Sequence, residues 1–268
     1  MSDDLRFNFG KNWESYLSLL DQQRLEAHRA SLIARFGQEC LSGKRFLDAG
    51  SGSGAFSKAA ASLGANVTSF DYDPASVSCT KAMRQQTPEA TWDILQGSLL
   101  DQEFLRSLGS FDIVYCWGVA HHTGDMWRAL QNLIPCCHGD LVVSIYNDQG
   151  KASKRWAVVK RAYNKYAWLR PLLIAGAWAR LWGVKFVADA LRGEPLKRWK
   201  NNYGDHRGMS AKHDLIDWIG GYPFEVAKPE QVFHFFRERE FELVDFTTQA
   251  GGIGCNEFVF RRRTGLTN

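Results

Sequence analysis

Several things that would assign this chain of 268 residues to a common class are missing from it. Its six cysteines (Cys40, Cys79, Cys116, Cys136, Cys137 and Cys255) form no CxxC pair, and the histidines add no ligand spacing, which excludes a structural zinc site. Met1 to Asp4 is acidic with no apolar core behind it, so no signal peptide is expected and the chain reads as a reduced, cytosolic protein. The most apolar stretch, Pro171–Leu191, is interrupted by Arg180, Lys185 and Asp189, inside the length a membrane span would need. No internal repeat is found. With 45% apolar and 23% charged residues, disorder, a collagen repeat and a coiled coil are excluded. What remains is one large globular domain, or one domain carrying an insertion.

The charge that is present is unevenly placed. Between Lys151 and Lys212 fifteen Lys and Arg face three acids (Asp189, Glu194, Asp205), whereas the whole chain carries only +4. An acidic body therefore carries a basic segment. That segment also holds Trp156, Trp168, Trp178, Trp182 and Trp199, half of the ten tryptophans. Its expected partner is an anion: a phosphate, a carboxylate, a lipid headgroup or nucleic acid.

Residues 12–36 read as one amphipathic helix. A strand–helix alternation follows. Strands are predicted at Lys44–Ala49, Val67–Asp71, Thr91–Leu95, Phe111–Trp117 and Asp140–Tyr146. Helices are predicted at Ala55–Leu63, at Pro74–Gln86 with Pro in its first turn, and at Asp125–Leu133 with Asp125 as N-cap. This spacing predicts a parallel, doubly wound sheet. The alternation stops at Tyr146. Residues 150–220 contain no convincing strand and are read as a basic helical cap, with helices at Lys151–Tyr166 and Pro171–Leu191. In the first of these, Ala152, Trp156, Val159, Tyr163 and Tyr166 form the apolar stripe. A helix at Pro229–Glu238 and strands at Phe241–Thr248 and Asn256–Arg261 complete the chain. The last two strands are too close in sequence for a crossover helix, so they are antiparallel. The expected fold is α/β and Rossmann-like: a mostly parallel seven-stranded sheet over 1–149 and 221–268, with an antiparallel last strand and a helical lead-in at 1–43.

The glycines of Phe46-Leu47-Asp48-Ala49-Gly50-Ser51-Gly52-Ser53-Gly54 lie between the first strand and its helix, where they let the backbone turn and approach a ligand. Alone they also satisfy a loose dinucleotide fingerprint. Asp48 is placed to organise this loop and meet a ligand amine. Asp71, at the end of the second strand, is placed to accept hydrogen bonds from a ribose, a role that NAD enzymes share. The antiparallel strand pair at the C-terminus is what the ordinary dinucleotide fold lacks.

With these features the chain resembles the class I S-adenosylmethionine-dependent methyltransferases of small-molecule type, over most of 44–148 and 225–262. The resemblance is carried by 48–54, Asp71, Gln96–Asp101 and Phe111–His122. It implies S-adenosylmethionine as cofactor. Gly50, Ser51, Gly52 and Gly54 would face its methionine and ribose end, Asp71 would bind the ribose hydroxyls, and Tyr72 would lie beside the adenine. Ser98 and Leu99 would flank the adenine, although the family often has Asp where Ser98 stands. Cys116 and Trp117 would border the methionine. Phe9–Trp13 looks like a lead-in that closes over the cofactor, with Trp13 against it. No Asn/Asp-Pro-Pro-Tyr follows the fourth strand, which removes the usual amino-methylating DNA enzymes.

Ligands bind at the carboxyl ends of strands in open α/β sheets. His121 and His122 after the fourth strand, and Tyr146 after the fifth, are therefore the catalytic candidates: a histidine as base, the tyrosine to orient the nucleophile. In the basic segment Tyr203, His206 and Arg207, with His213, are the candidates to hold the acceptor, the arginine on its anionic group. The expected activity is methyl transfer to O or N of a small anionic acceptor, a metabolite or glycan precursor. The alternatives are an RNA or protein methyltransferase docking through the basic segment, a cofactor-binding protein without methyl transfer, and, least favoured, an NAD oxidoreductase. A basic, Trp-rich helical segment also leaves peripheral membrane contact open.

Overall fold

The computed structural model describes residues 5–17, 20–37, 40–193 and 211–263. A seven-stranded sheet forms the centre: β1 Arg45–Ala49, β2 Asn66–Asp71, β3 Trp92–Gln96, β4 Phe111–Trp117, β5 Cys137–Tyr146, β6 Phe241–Thr247 and β7 Cys255–Arg262, in the order β3-β2-β1-β4-β5-β7-β6. Pairs among β1 to β5 are parallel, and β7 runs antiparallel to both β5 and β6. The predicted doubly wound sheet and its antiparallel end are thus both present. Strand order reverses between β1 and β4, which opens a crevice at their carboxyl ends.

Alternation along the strands divides the core between the two sheet faces. Phe46, Ile113, Tyr115, Val142 and Val259 pack on one side; Leu47, Val114, Cys116, Leu141, Val143, Phe258 and Phe260 pack on the other. The adjacent cysteines Cys136 and Cys137 are buried in the second cluster as packing.

Capping residues set the helix boundaries. The stretch read as one helix over 12–36 is two: α1 Phe9–Leu17 and α2 Gln22–Phe36. Asp21 starts the second by accepting from the Arg24 amide at 2.9 Å, so a cap overrides the continuing apolar period. Next come α3 Ala55–Ser62 and α4 Pro74–Arg84, with Pro74 in the first turn of the latter as predicted. Asp73 caps α4 and also accepts from the Gly10 amide at 2.9 Å, tying α1 down. A short helix that the sequence reading left out, α5 Gln102–Ser107, is capped by Asp101. The predicted Asp125 cap opens α6 Met126–Leu133.

After β5 come α7 Lys151–Lys165, α8 Arg170–Trp178, a π-helical turn at Ala179–Gly183, and α9 Val184–Leu191. The single helix expected over 171–191 is therefore broken by a widened turn. Tyr166, expected on the apolar stripe, leaves the helix in an extended conformation and is exposed. Then follow α10 Ala211–Gly220 and α11 Pro229–Arg237. Tyr163, Ala177, Leu215 and Ile219 form a third cluster, separate from the sheet, which Phe7 and Trp156 join. The lead-in is stitched to this cap: Asn12 donates to Asp217 at 2.6 Å, and the Phe7 amide to the Tyr222 carbonyl at 2.9 Å. Among the described residues, no helix is long and apolar enough to cross a membrane.

Candidate active site

The turn after β1 is shaped by left-handed backbone. Gly50 has φ +92, and a Cβ there would lie 2.5 Å from both methyls of Val119 on the loop after β4. Gly54 has φ +79, and a Cβ there would lie 2.8 Å from the Thr80 Cα. Both positions demand glycine on conformation and on space. The amides of Gly50 and Ser51 donate to the Phe70 carbonyl at 2.8 and 3.0 Å, fastening the loop to the end of β2.

At that strand end the Asp71 carboxylate accepts from the Gly52 amide and the Asp73 amide, both at 2.9 Å. Each oxygen keeps a free lone pair. Burial pushes the carboxyl up to about 6, against the pull of those amides. Asp48 lies deeper. Ser57 donates to it, Ser57 shares a hydrogen bond with Ser69 at 2.7 Å, and Ser69 accepts from the Trp92 indole at 2.7 Å. Burial raises Asp48 to about 7, with Asp71 adding to the rise and Ser57 opposing it.

These groups form one end of a cavity of about 1120 Å³. Of the residues predicted for the cofactor, Trp13, Asp48, Gly50, Ser51, Gly52, Asp71, Tyr72, Ser98, Leu99 and Trp117 line it. Two do not. Cys116 is fully buried in the core on the opposite sheet face, because adjacent strand residues point to opposite sides and Tyr115 and Trp117 take the cavity side. Gly54 sits behind the loop against α4, where it lets the chain enter α3. Trp13 lies over Gly52, within 3.0 Å of where a Cβ would stand. Ser98 turns its hydroxyl toward its own loop and accepts from the Leu100 amide at 3.1 Å. The Arg6 guanidinium stacks on the Tyr72 ring at 4.6 Å and donates to the Thr123 carbonyl at 3.2 Å.

The opposite end brings together the three catalytic candidates. His121, His122 and Tyr146 all line the cavity, with the Tyr146 ring 4.1 Å from that of His121. His122 Nδ1 lies 2.7 Å from the Pro223 carbonyl, so it carries the proton and Nε2 is bare. His121 Nδ1 has no hydrogen-bond partner among the described residues. Burial first holds both rings neutral, helped by His122 and then Lys160 at His121 and by Lys160 at His122: His122 falls to about 3 and His121 well below its ordinary value.

Lys160, on α7, was not singled out in the sequence. Its side chain is fully buried and its ammonium donates to the Trp218 carbonyl. It faces the rings of Trp218 at 4.5 Å, Phe224 at 4.7 Å and Tyr146 at 5.3 Å. Burial lowers it to about 7. A local signal was present, because Lys160 stands four residues after Trp156 and three before Tyr163, inside the apolar stripe. Arg6, Arg180, Leu181, Leu215 and Trp218 also line the cavity and were not predicted. Tyr203, His206 and Arg207 lie outside the described residues, and of His213 only the backbone is described.

The residues present fit a nucleoside-bearing cofactor: a cradle that a Cβ would fill, beside a strand-end carboxylate with free lone pairs. Fold and site together define an α/β nucleotide-cofactor protein whose sheet ends in an extra antiparallel pair. The chain belongs to the methyltransferase-domain family, whose model matches residues 21–243.

Three solved structures place it among known folds. Magnesium protoporphyrin IX methyltransferase from Synechocystis PCC 6803, with S-adenosylhomocysteine bound, is 15% identical with a TM-score of 0.52, covering 90% of this chain and 83% of that one. The N-terminal domain of EvdMO1, in the presence of S-adenosylhomocysteine and D-fucose, is 14% identical with a TM-score of 0.52, covering 91% and 84%. The cyclase SpnF is 12% identical with a TM-score of 0.53, covering 88% and 80%. No curated protein matches the sequence.

Proposed function

We propose that this methyltransferase transfers the methyl group to O or N of a small anionic acceptor, a metabolite or glycan precursor. The observation that carries the reading is the two-ended cavity. One end is built from backbone amides and a carboxylate. The other is walled by His121, Tyr146 and Trp218, with Arg6 and Arg180 as the cations that line the whole. Solved relatives of this fold include a protein named as a porphyrin methyltransferase and one studied with D-fucose, which supports a small-molecule acceptor.

When bound, S-adenosylmethionine supplies a methyl on a sulfonium for in-line displacement, which requires alignment and exclusion of water. Asp71 would hold its ribose hydroxyls, Gly50 and Gly52 would admit the chain that carries the sulfonium, and Trp13 closes over the loop. His121 is the base: its ring is neutral at ordinary pH and its Nδ1 is uncommitted, whereas His122 is tied to Pro223. Tyr146 orients the nucleophile against it. A guanidinium supplied by Arg180 pairs with the acceptor's carboxylate or phosphate.

Two measurements test this. Asp71→Ala should weaken S-adenosylhomocysteine binding by about 2–3 kcal/mol, two charge-assisted hydrogen bonds at roughly 1.5 each. Unchanged affinity by calorimetry removes Asp71 from the site. Labelled methyl from S-adenosylmethionine should pass to members of a panel of phosphorylated and carboxylated small molecules. Labelling of RNA or protein in place of that panel overturns the acceptor class.

A further inference from the structure

The outer surface of the cap carries residues that neither the fold nor the cavity uses. On α7 the exposed positions are Lys151, Lys154, Arg155, Val158, Arg161 and Lys165. Steps of three and four place them on one stripe, opposite the inward face of Trp156, Lys160 and Tyr163. Among the described residues none of these cations is in an ion pair with a carboxylate. Asp189, the one acid between Lys151 and Gly193, is buried. The corner from α7 into α8 then exposes Tyr166, Trp168 at 73% and Leu172 at 66%, and α9 exposes Val187 at 56% and Leu191 at 84%. Lys165 stands over the Tyr166 ring at 5.2 Å, at the edge of this corner.

We infer that this face docks on the surface of an anionic lipid bilayer, with Trp168 and Leu172 entering the headgroup–acyl boundary and the α7 cations resting on the headgroups. Charge complementarity selects the partner. A stripe of unpaired cations needs anions, and an exposed Trp and Leu gain only when something apolar covers them. An anionic bilayer offers both in one plane, the requirement that interfacial helices meet. RNA would answer the cations and leave Leu172 and Leu191 in water. The docked face is continuous with the site: α8, which carries Leu172, leads into the π turn whose Arg180 and Leu181 line the cavity, about 12 Å along the helix at 1.5 Å per residue. The inference stands whether or not the acceptor is anionic.

Flotation of the full chain with vesicles tests it. The wild type should float with phosphatidylcholine vesicles containing phosphatidylglycerol and stay behind with phosphatidylcholine alone. Trp168→Glu with Leu172→Glu should abolish flotation. Lys154→Gln with Arg155→Gln and Arg161→Gln should lower partitioning on the order of 100-fold, at about one factor of five per headgroup-facing cation. Both variants should keep wild-type S-adenosylhomocysteine affinity. A variant that loses it is replaced by Trp168→Ser or Leu172→Ser singly, with flotation reduced. Absence of wild-type flotation on anionic vesicles overturns the inference, as does flotation that survives both sets of substitutions. Retention on RNA without flotation reassigns the face to nucleic acid.

Discussion

The two walls of the cavity are held by different means. The sheet wall, from Gly50 to Asp71, is fixed by backbone: amides of Gly50 and Ser51 on the Phe70 carbonyl, amides of Gly52 and Asp73 on Asp71, and glycines that no side chain can replace without collision. The cap wall is fixed by side chains: a buried lysine, rings from three separate segments, and one asparagine–aspartate link to the lead-in. Backbone-built geometry tolerates almost no substitution, and in the proposed function it recognises what is constant in the reaction, the cofactor. Side-chain-built geometry can be rebuilt residue by residue, and in the proposed function it faces what varies, the acceptor.

The sharpest way to break this contrast is at the sheet wall. Gly54→Ala puts an L residue at φ +79, costing roughly 1–2 kcal/mol, and drives a methyl against the Thr80 backbone, costing roughly 1–3 more. The expected loss is about 2–5 kcal/mol of unfolding free energy from urea denaturation. A loss below about 0.5 kcal/mol, the size of ordinary surface changes, would show that the loop yields as easily as a side chain.

A smaller effect is expected at the cap wall, and it depends on pH. Burial depresses the Lys160 ammonium from 10.5 to about 7. The unfolded lysine therefore keeps a proton that the folded one releases, and the unfolded state binds more protons between those values. Stability contributed at this site must rise as pH climbs through that window. Methionine does not titrate. The wild type minus Lys160→Met difference should move in favour of the wild type by about 2–3 kcal/mol between roughly pH 7 and 9, at about 1.4 per unit. Changes from the buried cysteines occur in both proteins and cancel. Paired denaturation curves giving a pH-independent difference would mean that Lys160 is held charged by its rings.

The same contrast decides what could be read in the sequence. The glycine loop, Asp71 and the parallel sheet with its antiparallel end were legible because their causes are local: positive φ, a strand end, the period of the alternation. Cys116 does not border the crevice as expected, since two neighbours on one strand cannot both face it. α5 was missed because six residues are too few for a helical period to show. The Lys160 cage was illegible for a different reason. Its rings come from the end of β5, from α10 and from the return after it, 146, 218 and 224 in the chain, and only the folded cap brings them to one lysine. Nothing in the sequence indicates which side Trp218 and Phe224 face.

Trp218 carries the smallest predicted change. Its indole Nε1 is buried and lacks a hydrogen-bond partner among the described residues. An unsatisfied buried donor costs about 1–3 kcal/mol, and phenylalanine removes it. Against this, Trp218→Phe gives up the larger ring's packing on Trp156 at 5.6 Å and Tyr146 at 5.2 Å, and weakens the face presented to Lys160. The two contributions oppose each other and are of similar size, so thermal denaturation should show a net change within about 1 kcal/mol of zero. S-adenosylhomocysteine affinity should be unchanged, because that end of the cavity is built by the sheet. A loss above about 2 kcal/mol would mean that the indole is a packing element of the cap core. A neutral stability change accompanied by a raised acceptor KM would instead identify Nε1–H as a donor held in reserve for the acceptor, the use that a side-chain-built wall is free to make of an otherwise unpaired group.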